Sequence, residues 1–315
     1  MKIQIKLKTH NNPLLICVVG PTAIGKTAMA IKLAQAFSAE IISADSRQFF
    51  KEMNIGTAVP SQEELAAATH HFIKNKSIFE DYSVGDFERE AIAFLDEYFN
   101  RKNIAILVGG SGLYVDAVVN GLDHFPEVPS EVRVKLNSEL DVKGIQHLQS
   151  ELKEVDPSYY KKVDINNPHR LIRALEIYKA TGKPYSTFLK KDSIKRNFDT
   201  IFIGLEAERE IVYDRINLRV DNMISEGLIE EAQHLFKHKE RNALQTVGYR
   251  ELFEYFDNNI SKEEAISEIK KNTRRFAKRQ NTWFKKNKDI HWFDYKTDAI
   301  EIINFINEDT IPLSV

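Results

Sequence analysis

The first 120 residues alternate short apolar runs with longer segments in which apolar residues recur at helical spacing. The runs at 14–19, 40–43 and 104–108 are typical of strands buried on both faces of a parallel sheet. Residues 28–37 and 87–101 have the periodicity of amphipathic helices. Strand, loop and helix therefore alternate, and this pattern predicts an α/β fold, a parallel sheet with helices on both faces.

Shorter elements complete this part of the pattern. A short helix is predicted at 61–68 and a third strand at 71–73, and residues 1–8 are expected to form a strand or a loose arm. From about residue 122 the pattern changes to helices, with a highly charged stretch at 131–154. A strand pattern returns only at 201–205. We therefore predict a helical insertion, residues 122–198, within a core formed by residues 1–121 and 199–315.

The last predicted helices include one at 208–226 and one from 261 to about 288. Between Lys270 and Lys288 lie nine Lys or Arg residues and no acidic residue, interleaved with Phe276 and Trp283. A solvated helix face is the ordinary explanation of such a run. The interleaved aromatic rings make a helix that faces nucleic acid an equal alternative.

One loop of the predicted sheet carries a complete phosphate-binding motif. The first strand ends in a segment that matches G-x-x-x-x-G-K-[ST], and the predicted helix follows directly, which is the context that the motif requires. Backbone N–H groups of such a loop and the helix N-terminus attract anions, the lysine adds a mobile charge, and the hydroxyl can reach Mg²⁺. The predicted diphosphate- or nucleotide-binding residues are Gly20, Pro21, Thr22, Ala23, Ile24, Gly25, Lys26 and Thr27. The motif predicts a polyphosphate ligand without choosing between ATP and an organic diphosphate.

Composition narrows the class of protein. The chain has 315 residues, 43% of them hydrophobic, and a net charge of −2, so any nucleic-acid contact must come from local basic patches. No apolar run approaches the roughly 18 residues of a membrane-spanning helix. The single cysteine, Cys17, allows neither an internal disulfide nor a thiolate zinc site. These features predict a cytoplasmic protein, with a monomer as the simplest assembly.

Six ordered motifs together resemble the bacterial tRNA dimethylallyltransferases (tRNA isopentenyltransferases). The phosphate loop, with its Pro-Thr-Ala, is the first of them. The others are Ser43-Ala44-Asp45-Ser46-Arg47-Gln48 with Asn54-Ile55-Gly56-Thr57-Ala58, Val108-Gly109-Gly110-Ser111-Gly112-Leu113-Tyr114, His169-Arg170-Leu171-Ile172-Arg173, Val247-Gly248-Tyr249-Arg250, and Ala277-Lys278-Arg279-Gln280 followed by Thr282-Trp283-Phe284. Ser111 stands where many members have Thr, and His169 where many have Gln. The lone cysteine favours the bacterial type, because eukaryotic relatives carry a C-terminal zinc finger.

The resemblance implies a phosphate-loop NTPase-like fold and a specific reaction. A dimethylallyl group moves from its diphosphate to the exocyclic amine of the adenosine 3′ of the anticodon, position 37 of tRNA. The implied catalytic residues are Asp45 as general base, Lys26 and Arg219 at the leaving diphosphate, and Ser111. Mg²⁺ is the implied cofactor, held through Thr27.

The resemblance also implies where the tRNA anticodon stem-loop is contacted. The target base must leave its stack to be modified, as in other base-modifying enzymes. The expected tRNA-binding residues are Asp45, Ser46, Arg47, Gln48, Ser111, Arg133, His169, Arg170, Leu171, Ile172 and Arg173.

Three alternatives share part of this pattern. A small-molecule kinase would use the same phosphate loop but would require ATP. An isopentenyltransferase that acts on free adenine nucleotides would need no RNA-contacting insertion. A nucleotide-gated RNA-binding module would need no carboxylate beside the loop, and Asp45 argues against it.

Overall fold

The computed structural model describes residues 12–189 and 194–309. The predicted strand or arm at residues 1–8 lies outside them. The described chain separates into two units. The larger unit combines the residues up to Asn120 with those from Arg196 onward, and the smaller unit comprises those from Gly121 to Lys195.

The first segment of the larger unit alternates strands and helices as the hydrophobic pattern predicts. The loops that connect the strands to the helices range from three residues, at 109–111, to eighteen, at 44–61. In chain order the elements are β1 (Leu14–Val19), α1 (Lys26–Phe37), β2 (Ile41–Ser43), α2 (Gln62–Ala67), β3 (His70–His71), α3 (Val84–Tyr98), β4 (Ile104–Val108) and α4 (Gly112–Asn120). Helices α2 and α3 both begin at capping boxes, which use Ser61 and Ser83.

The smaller unit is helical in the residues that the structure describes. Its α-helices are α5 (Ser130–Lys143), α6 (Ile145–Val155), α7 (Pro157–Tyr160) and α8 (Pro168–Thr181). Leucines of α5, α6 and α8 form its core, with Leu136, Leu148 and Leu171 fully buried. The stretch at 131–154 is helical, as predicted, but it forms two helices, because α5 ends at Gly144, whose φ of 75° favours glycine.

The returning segment of the larger unit completes the sheet. Its elements are β5 (Asp199–Glu206), α9 (Arg209–Ser225), α10 (Leu228–Leu235), α11 (Tyr249–Phe256), α12 (Lys262–Phe284), β6 (Ile290–Asp294) and α13 (Ala299–Asp309). The sequence pattern did not predict α10, β6 or α13, and it placed the end of α12 four residues too late.

All six strands are parallel, in the order β3-β2-β4-β1-β5-β6. Alternate residues of β1 face opposite layers. Ile16 and Val18 pack in a core with α1, α9 and α13, whereas Cys17 and Val19 pack in a core with α3 and α4. The predicted parallel sheet with helices on both faces is therefore confirmed, and the carboxyl ends of β1, β2, β4 and β5 lie along one edge.

Candidate active site

The phosphate loop lies between β1 and α1 at the carboxyl edge of the sheet. Gly20, Ala23 and Gly25 have φ values of 140°, 63° and 110°, so the loop uses left-handed backbone that favours glycine. A Cβ on Gly20 would lie 2.5 Å from the carbonyl oxygen of Leu205. The strand next to β1 therefore leaves room only for glycine at this position.

Lys26 is the first residue of α1, and its side chain lines the cavity where an anion could bind. Its Nζ donates a hydrogen bond of 2.7 Å to the carbonyl oxygen of Pro21 within the same loop. Burial lowers the pKa of Lys26 to about 7; the charge of Asp45 opposes this shift and that of Arg219 adds to it. A bound anion would favour the protonated ammonium, so charge on Lys26 and anion binding are coupled.

Arg219 lies on α9, one turn after Arg215. Arg215 binds the phosphate loop, because its Nε donates a hydrogen bond to the carbonyl oxygen of Ala23 at 2.7 Å. Burial lowers the pKa of Arg219, and the nearest opposing charge is that of Asp45. Within 12–189 and 194–309, no residue accepts a hydrogen bond from the Arg219 guanidinium and no carboxylate forms an ion pair with it.

Asp45 follows β2 and faces the same cavity as the two cations. Its Oδ1 accepts a hydrogen bond from the backbone N–H of Arg47 at 3.0 Å, which fixes the carboxylate. The cavity has a volume of about 990 Å³, and Lys26, Thr27, Asp45 and Arg219 all line it. The structure therefore brings together a carboxylate, two cations and a hydroxyl at the edge where parallel sheets bind ligands.

Ser111 and Ser46 connect two loops of this edge. The Ser111 hydroxyl oxygen accepts from the backbone N–H of Ser46 at 3.2 Å and lies 3.2 Å from the Ser46 hydroxyl. The loop after β4 is thus tied to the loop after β2. Ser111 does not line the cavity, so this structure gives it a role in shaping the loop that carries Asp45.

Gln48 and Arg47 are engaged within the protein. The amide nitrogen of Gln48 donates to the carbonyl oxygens of Ala58 and Thr57 at 2.9 and 3.3 Å. The guanidinium of Arg47 donates to the carbonyl oxygens of Asn242 and Ala243, both at 3.0 Å. Both side chains fix loops around the cavity, although Gln48 also lines it.

The predicted RNA-contacting residues at the start of α8 differ in exposure. His169 and Arg170 are exposed at the start of α8. Leu171 and Ile172 are 0% and 4% exposed and pack in the helical core, which leaves their side chains little surface for a contact with tRNA. They follow Arg170 in the motif but lie on the opposite, buried face of the helix.

Two other predicted arginines of the smaller unit share one buried carboxylate. Arg133 binds Glu176 through two nitrogens at 2.7 and 3.1 Å, and Arg173 binds the same carboxylate at 2.5 Å. Glu176 is only 3% exposed. This bridge joins α5 to α8 and neutralises part of the positive charge.

Sequence reasoning missed a carboxylate that organises one wall of the cavity. Glu231 on α10 accepts hydrogen bonds from the backbone N–H groups of residues 54, 55 and 56 at 2.8 to 3.0 Å, and from the hydroxyl of Tyr249 at 2.6 Å. A Cβ on Gly56 would lie 2.6 Å from the Tyr249 ring. Two separate motifs of the sequence therefore meet here, but no local pattern marks Glu231.

The basic helix α12 has both paired and free cations. Lys270, Lys271 and Lys285 form ion pairs with carboxylates at 2.5 to 2.7 Å. Lys278 and Arg279 are exposed and have no carboxylate partner in the part of the chain that the structure describes. Exposed cations of this kind fit both a solvated helix face and a surface that contacts RNA.

Thr27 is the residue of the cavity suited to Mg²⁺. Its hydroxyl lies in the first turn of α1, and one such ligand suffices where substrate phosphates supply others. Among the described residues, one group of three His, Asp or Glu side chains is close enough to share an ion. It is Glu139, His147 and Glu151, all in the smaller unit.

A phosphate loop beside the central strands of a parallel sheet, facing a carboxylate and an arginine across one cavity, is typical of a phosphate-loop-like α/β fold. A family model described as IPP transferase matches residues 48–287. This chain belongs to that family. None of the described helices is long and apolar enough to cross a membrane.

Individual relatives agree with the family match. The chain is 60% identical over 299 residues to a tRNA dimethylallyltransferase of Flavobacterium psychrophilum, covering 93% of this chain and 97% of that protein. It is 39% identical to the solved tRNA isopentenylpyrophosphate transferase of Bacillus halodurans, with a TM-score of 0.70 over 95% of this chain and 98% of the other. A eukaryotic dimethylallyltransferase acting on tRNA is 26% identical, with a TM-score of 0.79 over 96% and 81%.

Proposed function

We propose that this chain is a tRNA dimethylallyltransferase. It transfers a dimethylallyl group from dimethylallyl diphosphate to the exocyclic amine of adenosine 37 of tRNA and releases diphosphate. Family membership and the names of the relatives support this activity. The structural observation that carries the proposal is the single cavity lined by Lys26, Asp45 and Arg219. We propose that the enzyme acts as a monomer in the cytoplasm, where tRNA is found.

The phosphate loop binds the diphosphate in this proposal. Backbone N–H groups of residues 23–27 and the N-terminus of α1 face the anion, and Lys26 turns from the Pro21 carbonyl to a phosphate oxygen. Arg219 offers a guanidinium without an internal hydrogen-bond acceptor among the described residues. As the carbon–oxygen bond breaks, charge grows on the leaving diphosphate, and both cations stabilise it.

Asp45 acts as the general base. The amine of adenosine is a weak nucleophile, because its lone pair is delocalised into the ring. As the new carbon–nitrogen bond forms, the amine loses a proton to the Asp45 carboxylate. The hydrogen bond from the backbone N–H of Arg47 holds one carboxylate oxygen and leaves the other for the amine.

Mg²⁺ fits the cavity through Thr27 and the diphosphate itself. The ion would neutralise charge on the leaving group when bound. A single protein hydroxyl matches the way Mg²⁺ binds beside phosphates with few protein ligands.

The RNA contacts are proposed on both units. In the smaller unit His169 and Arg170 are the exposed candidates at the start of α8, with the exposed parts of Arg133 and Arg173 beside Glu176. In the larger unit the loop after β2 supplies Asp45, Ser46, Arg47 and Gln48, supported by Ser111. Local positive charge of this kind binds RNA although the net charge is −2.

A labelled-substrate incubation tests the activity. Radiolabelled dimethylallyl diphosphate, Mg²⁺ and unmodified tRNA are mixed with the protein without ATP. We expect label in RNA at the adenosine beside the anticodon. Label on free adenine nucleotides instead would support the nucleotide isopentenyltransferase, and phosphate transfer from ATP without prenylation would support the kinase.

A further inference from the structure

Gln280 lies on the face of the basic helix α12 that is directed toward the phosphate loop. The neighbouring Lys278 and Arg279 are exposed, whereas Gln280 is only 7% exposed. A buried polar side chain must find hydrogen-bond partners, because leaving one unpaired costs about 1–3 kcal/mol. The partners of Gln280 therefore indicate what this part of α12 does.

Both ends of the Gln280 amide bind loops of the candidate active site. Its Oε1 accepts from the backbone N–H of Thr22, inside the phosphate loop, at 2.8 Å. Its Nε2 donates to the carbonyl oxygen of Gly110, in the loop after β4, at 2.9 Å. One side chain thus joins two loops that follow different strands of the sheet.

Glycines in the loop after β4 allow α12 to lie close to it. A Cβ on Gly110 would lie 2.3 Å from Nε2 of Gln280 and 3.5 Å from Nζ of Lys26. The uncharged amide and the lysine ammonium are therefore neighbours of the same glycine. A Cβ on Gly112 would meet the ring of Trp283 at 2.3 Å.

Trp283 gives α12 a second attachment to the same region. Its Nε1 donates to Asp116 Oδ2 on α4 at 2.9 Å. Gln280 and Trp283 lie three residues apart, on one face of the helix. The helix is therefore attached at two points, and Gln280 occupies a fixed position.

We propose that Gln280 is a positioning residue for the diphosphate, a role that rests on the proposed function of this cavity. It sets the spacing between the phosphate loop and the loop after β4, and it keeps the wall beside Lys26 uncharged. Glutamine suits this role because one end accepts from an N–H while the other donates to a carbonyl, without net charge. A glutamate would keep the first bond, lose the second, and place a carboxylate beside Lys26.

The test compares Gln280→Glu and Gln280→Met with the wild-type enzyme. Pyrophosphate binding is measured by calorimetry, and kcat and KM for dimethylallyl diphosphate and for tRNA are measured separately. Gln233→Glu, which adds the same charge at an exposed position of α10, is the matched control. Thermal unfolding shows whether each variant is folded.

We expect Gln280→Glu to weaken pyrophosphate binding and raise KM for dimethylallyl diphosphate about tenfold or more, with the tRNA dissociation constant unchanged within twofold. Gln280→Met loses both hydrogen bonds but adds no charge beside Lys26, so we expect it to weaken pyrophosphate binding less than Gln280→Glu does. A purely structural role would not distinguish the two variants in this way.

Three results would overturn the proposal. They are pyrophosphate affinity within twofold of wild type in both variants, equal losses for tRNA and diphosphate, or the same loss in Gln233→Glu. If Gln280→Glu does not fold, Gln280→Met and the shorter Gln280→Asn decide by the same affinities. Wild-type protein that binds pyrophosphate but transfers nothing to tRNA would refute the proposed function, and the role of Gln280 would still be judged on pyrophosphate binding.

Discussion

The cavity of the larger unit and the helix bridge of the smaller unit use arginine in opposite ways. In the cavity, Arg219 is mostly buried and has no hydrogen-bond acceptor among the described residues. Burial lowers the pKa of Arg219, and the charge of Asp45 opposes this shift without an ion pair. In the smaller unit, Arg133 and Arg173 are partly exposed and share the buried carboxylate of Glu176. Burial without a partner is unfavourable for a cation. Where the chain retains such a cation, it is available to an external anion.

The presence or absence of an internal ion pair distinguishes arginines with a structural role from arginines that can bind a ligand. The family resemblance implies functional roles for both Arg219 and Arg173. The structure pairs Arg173 with the carboxylate of Glu176, whereas no carboxylate of the described residues forms an ion pair with Arg219. Mutations on the two sides of this comparison should therefore change different quantities: turnover for the cavity, and the free energy of unfolding for the bridge.

The largest expected effect is on turnover in the cavity. Asp45→Ala should lower kcat about 10²-fold or more, because it removes the proposed proton acceptor. The tRNA dissociation constant should remain near that of wild type. Single-turnover kinetics measure the effect, with Asp45→Asn as the control that keeps the acceptor for the Arg47 N–H. Unchanged turnover would exclude Asp45 as the base.

Arg219→Gln tests the unpartnered cation directly. We expect kcat to fall about 10²-fold, because the leaving diphosphate loses a charge-assisted donor. The free energy of unfolding should not decrease, since the change removes a buried charge that lacks an ion pair. Chemical denaturation measures this second quantity. A strongly destabilised variant would show that Arg219 has the same structural role as Arg173.

Glu176→Gln tests the other side of the comparison. Removing the buried charge should lower the free energy of unfolding by about 2 kcal/mol, because two arginines lose their shared partner. We expect little change in kcat. Denaturation measures the loss, and Arg133→Gln should cost less, because Arg173 still pairs with Glu176. Unaltered stability in Glu176→Gln would mean that the bridge contributes little.

The pKa of Lys26 predicts how diphosphate binding depends on pH. The unliganded lysine has a pKa of about 7 instead of 10.5, so it loses its proton as the pH rises above 7. Affinity for dimethylallyl diphosphate should fall about tenfold or more between pH 7 and 9. Lys26→Arg, which stays charged, should flatten this dependence. Without ligand, the free energy of unfolding should rise with pH from about 7 to 10.5, because the unfolded chain binds the proton more tightly.

The smallest expected effect separates two arginines of α8. Arg170 is exposed and has no ion-pair partner among the described residues, whereas Arg173 binds Glu176. Arg170→Ala should reduce the slope of log affinity for tRNA against log salt concentration by about 1. Arg173→Ala should change this slope less and stability more. Equal slopes for both variants and wild type would exclude Arg170 as a phosphate contact.

Local patterns predicted the strands and helices that surround the cavity, and the sequence also predicted several of the residues that line it. The phosphate loop was predicted from its sequence motif. The predicted site residues Lys26, Thr27, Asp45 and Arg219 do line one cavity. These residues follow strands or lie on a helix beside them, so strand order alone brings them together. The edge strand β6 was not predicted, because the mixed polar and aromatic residues of Ile290–Asp294 lack a continuous buried run.

Other features depend on distant contacts that no local pattern records. Leu171 and Ile172 belong to a motif, yet core packing rather than ligand binding accounts for their positions. Glu231 supports residues 54–56 from far along the chain. Gln280 was recognised as part of a motif, but its role requires knowing that Thr22 and Gly110 lie on either side of it.

The place of β5 in the sheet has a consequence for synthesis on the ribosome. Strand β1 pairs with β4 on one side and with β5 on the other, in a register that joins Leu14 to Asp199. The smaller unit is translated between these partners, which takes about 4–15 seconds at roughly 5–20 residues per second. During that interval β1 has an unpaired apolar edge, and Leu205 is not yet present beside Gly20. The nascent larger unit therefore exposes this strand edge until β5 has been translated, whereas the smaller unit is a continuous segment with its own core and can fold before then.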